Sequence, residues 1–251
     1  MIETSRLNAL LDAPSIEALW DRHTRLMADY GFDRLIYGYS RYLTQTSLGD
    51  PDDFLMLTNH PASYTDTFIG KGLFRDAPML RWVLSNTGAC SWAELERMEA
   101  DGELTDRERA VVAFNRDNDV TAGYTISFKS LSPRAKGAVS LAARSGMAQQ
   151  DADAVWARHG DDILALNNVA HLKILSLPNA SPSRALTPRQ REVLGWVGDG
   201  KTVQDIATIL DLTPATVEKH LRLARAALGV ETTAQAVLKA AFQNQIFILD
   251  G

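Results

Sequence analysis

Residues 186–230 read LTPRQREVLGWVGDGKTVQDIATILDLTPATVEKHLRLARAALGV, and the helix punctuation in this stretch decides the architecture of the last quarter of the chain. Thr187 is an N-cap residue, Pro188 takes the first helical position, and Gln190 closes a Thr-x-x-Gln capping box three residues after the cap. Val193, Leu194 and Val197 supply an apolar stripe, and Gly200 ends the helix. Thr202 and Asp205 repeat the box ahead of a short helix whose buried face is Ile206, Ala207, Ile209 and Leu210. Thr213-Pro214 opens a third helix, with Val217, Leu221, Ala224 and Leu228 turned inward. Two short helices joined by a tight turn, the second with a free basic face, form the helix-turn-helix pattern.

The free face carries Glu218, Lys219, Arg222 and Arg225. Lysine and arginine reach guanine O6/N7 or phosphates, and glutamate accepts from cytosine N4. Lys219 and Arg222 are therefore assigned to base edges and Arg225 and Lys201 to phosphates, with Glu218 left open. Thr202 and Thr216, at the starts of the second and third helices, complete the expected DNA-facing set. The alternative is a solvated charged helix face. His220 borders the apolar stripe and reads as a half-buried packing residue.

The segment resembles the C-terminal domain of the LuxR-type transcriptional regulators. The matching residues are Leu186-Thr187, Arg189, Glu192-Val193-Leu194, Trp196, Gly200-Lys201-Thr202, Ile206-Ala207, Leu210, Thr216-Val217, His220 and Leu228-Gly229-Val230. Gln190 stands where that family usually has Glu. Glutamine still closes the box, so the helix start is expected to survive.

Length and composition fit two domains. The 251 residues allow one domain of roughly 170 residues plus a small helical one. Hydrophobic content is 45% and mean hydropathy is −0.15, as in a globular protein with a proper core. No apolar run approaches the ~18 residues needed to span a bilayer, and MIETSRLNALLDAPS lacks a signal-peptide pattern. Cys90, the lone cysteine, excludes an internal disulfide framework, suggests a cytoplasmic location and reads as a packed small hydrophobe. The net charge is −5, and from Leu186 onward seven basic residues balance seven acidic ones. DNA affinity must then come from placement of charge and from doubling the surface, so a homodimer reading two half-sites of a palindromic operator on double-stranded DNA is expected.

The stretch SLPNASPSR (176–184) reads as a linker between residues 1–175 and 185–251. In the first part Ser15 caps a helix carrying Ile16, Leu19, His23, Leu26, Met27 and Tyr30, and Gly31 ends it. Phe32–Leu43 and Phe54–Thr58 read as strands. Helices are expected over Pro61–Phe68, after Pro78, and from the Thr105/Glu108 capping box to Asn115. Gly123–Lys129 and Lys136–Ala142 read as a strand pair, and Asp151–Leu175 as a long amphipathic helix. This order predicts an α+β domain, an α/β/α sandwich with a mainly antiparallel sheet, joined to an all-α helix-turn-helix domain.

The resemblance extends into this half. The quorum-sensing branch of the LuxR family encloses an acyl-homoserine lactone between sheet and helices. Its signature is a Trp and a Tyr four residues apart, then Asp-Pro, a Trp fourteen residues after that Pro, and a Gly. On NHPASYTDTFIGKGLFRDAPMLRWVLSNTGACSW (59–92) these positions hold Tyr64, Phe68, Ala77-Pro78 and Trp92, with Asp76 one place early. The Gly position falls on Asp119 or, displaced, on Gly123. In the family the Trp N–H holds the lactone carbonyl and the Asp accepts from the ligand amide. Tyr64 can still donate, Phe68 has lost the hydroxyl and Ala77 can accept nothing. Either Asp76 turns inward, or the head group is not a homoserine lactone amide.

The expected ligand-binding set is Tyr64, Phe68, Asp76, Trp82 and Trp92, with Tyr39 and Ser140 on the strands. An acyl-homoserine lactone or analogue is the first choice of small-molecule autoinducer, with no cofactor and no metal. The alternative is that these aromatics are core residues with nothing between them. Ligand burial would complete the core and set the dimer geometry, with Asp151–Leu175 giving the main dimer contact and Thr233–Asn244 a smaller one. A phosphorylated response regulator would need repeated β-α units around an acidic pair such as Asp52-Asp53, which the element order lacks. An enzyme reading is set aside because the five histidines are scattered, without metal-ligand spacing, and no nucleophile motif or phosphate loop is present.

Overall fold

Alternation along Phe32–Ser40 organises the first half of the protein. In the computed structural model, which describes residues 3–44, 47–130, 132–179 and 182–247, this segment is strand β1, near the middle of a five-stranded sheet. The other strands are β2 (Leu55–Thr58), β3 (Gly88–Ser91), β4 (Gly123–Ser127) and β5 (Lys136–Ala143). Their order is β2-β1-β5-β4-β3 and every pairing is antiparallel. That topology is incompatible with the parallel β-α repeat of a phosphoacceptor domain.

Helices cover both faces. Before the sheet come α1 (Thr4–Leu11) and α2 (Ile16–Asp29); Ser15 caps α2 by accepting from the Ala18 N–H at 3.2 Å. On one face Tyr37 meets Trp20 of α2, and its hydroxyl lies 2.9 Å from His171 Nδ1 of α7 (Gln149–Ser176). Tyr124 of β4 stacks on Trp156 of the same helix at 4.0 Å. On the other face lie α3 (Ala62–Phe68), α4 (Pro78–Ser85), α5 (Ala93–Ala100) and α6 (Asp106–Asp117), which meet the sheet through Tyr64, Phe68, Met79, Trp92 and Val111. The Thr105/Glu108 capping box forms as expected.

Three elements went unpredicted: α1, α5 and the edge strand β3. β1 ends at Ser40 rather than Leu43 and β4 at Ser127 rather than Lys129, β5 runs one residue past the expected Ala142, and α7 extends past both ends of Asp151–Leu175.

The chain divides into two compact units, Met1–Gly49 with Phe54–Ile174, and Asp50–Asp53 with Leu175–Gly251. Ala180 and Ser181 of the expected linker, and residues 248–251, lie outside the described residues. The second unit is built on α8 (Pro188–Gly198), α9 (Val203–Ile209), α10 (Pro214–Leu228) and α11 (Thr233–Phe242). Thr187/Gln190, Thr202/Asp205 and Thr232/Gln235 all close as full capping boxes, so the glutamine at 190 costs the helix start nothing. The α10 C-cap is Gly229 in the left-handed conformation, φ 64°. Val193, Leu194, Ile206, Val217, Leu221 and Leu228 form the core of the three-helix body. The short turn Pro51–Asp53 also belongs here: Lys239 Nζ is 2.7 Å from the buried Asp53 carboxylate. The acidic pair Asp52-Asp53 is thus part of an ion-paired turn.

Candidate functional site

Strand alternation sends Ile36, Gly38 and Ser40 of β1, Ser140 of β5 and Thr125 of β4 to the face under α3 and α4, where two cavities open. The first, about 140 Å³, is walled by Leu43, Leu48, Phe54, Met56, Phe74 and Leu80, with Tyr39 and Lys136 also on its lining. The second, about 210 Å³, is walled by Tyr64, Trp92, Leu95 and Val120 together with His60, Asn115 and Arg116. Ile36, Phe68, Ala77, Met79 and Ser140 border both, so the two adjoin as an apolar arm and a more polar arm of one candidate site.

The structure brings most of the expected ligand set together. Phe68 and Ser140 stand at the junction, Tyr39 on the apolar arm, and Tyr64 and Trp92 on the polar arm. Two residues fall elsewhere. Asp76 ends a short turn, lies 4.0 Å from Arg107 and lines neither cavity; with Arg81 and Glu108 it borders an outer hollow that shares Leu48, Phe54, Ala77, Leu80 and Leu84 with the apolar arm. Its backbone precedes the α4 N-cap, Ala77, so the extended conformation there (ψ 128°) aims the neighbouring side chains apart. Trp82 packs at the edge of the aromatic cluster and borders neither cavity.

Polar groups on the lining are tied to one another. Trp92 Nε1 donates to Thr125 Oγ1 at 2.9 Å, and Thr125 Oγ1 is 3.3 Å from Ser140 Oγ. Tyr64 is stacked between His60 at 4.4 Å and Phe68 at 5.0 Å, and its hydroxyl donates to Asn115 Oδ1 at 2.8 Å. The proton of this hydroxyl is therefore engaged within the protein. Burial pushes the Tyr64 phenol above its ordinary range and, helped by nearby Arg34, pulls His60 down to about 4. Burial also raises the Cys90 thiol to about 11, which suits a packing role rather than a nucleophilic one. Thr125 and Asn115 escaped the sequence reading. Thr125 could have been found from its place opposite Ser140 across the strand pair.

In the second unit Glu218, Lys219 and Arg222 are exposed on α10, with Lys201 and Thr202 exposed at the start of α9 and Thr216 half-buried. Arg225 is engaged elsewhere: its Nη1 donates to Thr233 Oγ1 at 2.8 Å at the start of α11. Thr202 and Thr216 likewise have their hydroxyls in caps, 2.7 Å from Asp205 Oδ2 and 2.9 Å from Thr213 Oγ1. Among the described residues no helix is long and apolar enough to cross a membrane, and no group of three or more His, Cys, Asp or Glu is placed to hold a metal ion.

Fold and site together define a two-part regulator, an α/β/α ligand-binding domain joined to a helix-turn-helix. The Autoinducer binding domain profile matches residues 15–174, and that of the bacterial regulatory proteins of the luxR family matches residues 184–240. The chain belongs to the LuxR family and carries its autoinducer-binding domain. It is 35% identical over 232 residues to the HTH-type quorum sensing-dependent transcriptional regulator RpaR of Rhodopseudomonas palustris, covering 92% of this chain and 88% of the relative. In fold it is similar to SdiA in complex with octanoyl-rac-glycerol (TM-score 0.54, 17% identity, 96% of this chain and 93% of that one). It is also similar to the N-acylhomoserine lactone dependent factor CepR2 of Burkholderia cenocepacia (TM-score 0.53, 18% identity, 69% and 93%).

Proposed function

We propose that the protein is a quorum-sensing transcriptional regulator in which a small acyl molecule occupies the candidate site and controls how α10 engages double-stranded DNA. The observation that carries this reading is the junction of the two cavities at Phe68, Ala77 and Ser140, in a chain whose other unit is a helix-turn-helix. The apolar arm suits an acyl chain and the polar arm a compact head group, an acyl-homoserine lactone or an analogue of it. The ligand is bound and released unchanged, with no catalytic step and no cofactor.

The domain boundaries 1–175, 176–184 and 185–251 belong to the same proposal. So does the site set: Tyr39, Tyr64, Phe68, Trp92 and Ser140 for ligand, with Lys201, Lys219 and Arg222 for DNA and Glu218 beside them. A homodimer on a palindromic operator follows from the balanced charge of the DNA-binding unit, which makes one copy a weak binder, and the proposed place of action is the cytoplasm. Ligand that binds the folded state alone raises stability by mass action. Thermal unfolding with a series of acyl-homoserine lactones, alongside mass spectrometry of small molecules carried by protein from its native host, tests the proposal. A melting point unmoved at every acyl length, with no acyl compound recovered, would count against it.

A further inference from the structure

Ser140 is the one polar side chain, among the described residues, that borders both cavities; its companions are Ile36, Phe68, Ala77 and Met79. The direction of its hydrogen bonds follows from Trp92. An indole N–H only donates, so Thr125 Oγ1 accepts from it. Thr125 is 1% exposed, and the acceptor beside its own proton is Ser140 Oγ at 3.3 Å. The Ser140 proton is thereby left for the junction.

Main-chain acceptors at that point are already committed. β1 and β5 each have neighbours on both sides in the sheet, with Ile36 paired to Ser140 and Ser140 to Thr125. The Ala77 carbonyl accepts from the Leu80 and Arg81 N–H groups, and the Ala77 side chain is a methyl group. Asp76 lines neither cavity and borders the outer hollow. In the polar arm, the Tyr64 bond to Asn115 Oδ1 leaves the Asn115 amide nitrogen as a further donor. The carboxylates of that arm, Glu96 and Glu99, belong to exposed residues, and Glu99 is paired with Arg116 at 3.3 Å.

We infer that the junction recognises an acyl ligand through its carbonyl oxygen and disfavours an N–H at the linking atom, so that an ester is preferred to the corresponding amide. The inference rests on the pocket reading proposed above. An amide N–H buried beside Ala77 loses its water and meets a methyl group there, whereas an ester oxygen brings no proton to place.

The test uses the full-length protein and two probes of the same shape, N-octanoyl-homoserine lactone and its oxygen isostere, α-octanoyloxy-γ-butyrolactone, in calorimetric titrations. The ester is expected to bind about tenfold more tightly than the amide. Ala77→Asp, which supplies an acceptor at the junction, reverses the order, and Ser140→Ala weakens both probes by a similar factor. Should Ala77→Asp fail to fold, Ala77→Ser supplies a smaller acceptor and is expected to narrow the gap. Equal affinities, or a tighter amide, overturn the inference and leave the pocket reading standing. If neither probe binds at any acyl length, the pocket reading itself falls and the inference with it.

Discussion

The Tyr64 hydroxyl donates to Asn115 Oδ1, which ties α3 to α6 across the polar arm of the site. Its ring, stacked between His60 and Phe68, forms the wall. Shape at this position therefore belongs to the ligand, and the hydroxyl to the protein. Tyr64→Phe is expected to lower stability by about 1 kcal/mol through the lost hydrogen bond. Ligand affinity should change by no more than about twofold, since the ring stays. Chemical denaturation and calorimetric titration of the variant check both halves. A large loss of affinity with unchanged stability would mean that the hydroxyl turns to the ligand after all.

Two arginines on α10 separate by environment. Arg222 is exposed, while Arg225 is held by Thr233. Arg222→Ala is expected to cost about 1–3 kcal/mol at the specific operator and to relax base preference there. Arg225→Ala is expected instead to lower the melting point of the DNA-binding unit. Quantitative mobility shifts with specific and scrambled duplexes, paired with thermal melts, tell the two apart. Equal weakening on every duplex would place Arg222 on a phosphate.

Acid should loosen the first unit. His23 is 2% exposed, its Nε2–H donates to Asn167 Oδ1 at 3.0 Å, and burial pulls its imidazole down to about 4. Burial, with Arg41 nearby, does the same to His171. Near neutral pH both are uncharged in folded and unfolded chains alike. As pH falls below about 6.5, the unfolded chain takes up protons that the folded one refuses. Stability then drops until pH reaches about 4, with up to about 3 kcal/mol of the loss from His23. His23→Gln is expected to flatten that slope in melting points recorded across this window.

Asp119 adopts φ 58°, a conformation that few residues other than glycine take readily, and its carboxylate accepts from the Ser145 hydroxyl. Asp119→Val should destabilise by about 1–3 kcal/mol, because a β-branched side chain is strained there. Asp119→Asn should be nearly neutral. Equilibrium unfolding of the two variants decides, and similar losses in both would mean that the carboxylate rather than the backbone matters.

Much of this was readable from the chain because its signals are local. Thr187, Thr202 and Thr213, each followed by a partner three residues on, punctuate the DNA-binding helices whatever surrounds them. The edge strand Gly88–Ser91 was invisible: GACS has no run of β-branched residues, and its one partner is β4. Helix α5 was missed because AELERMEA has only two large apolar residues, Leu95 and Met98, and Met98 alone is buried. The candidate site was legible where the family's signature put an aromatic on a helix facing the sheet, as with Tyr64 and Phe68. It was not legible where one residue of rotation matters. Asp76 and Ala77 are neighbours, and only the turn before α4 decides which of them meets the cavity. Arg225 likewise shares a helix with Arg222, and Thr233 from the next helix claims it.

The alternation along β5 has a consequence for how such a receptor changes over time. Val139, 1% exposed, pairs with Tyr37 in the layer under α7, and Ser140, its neighbour in the chain, faces the cavity. One codon thus answers to folding and the next to chemical taste. Because the sheet stands between the two layers, Ser140 or Ala77 can change without disturbing the packing under α7. Change at the cavity beside an intact scaffold is what this architecture allows.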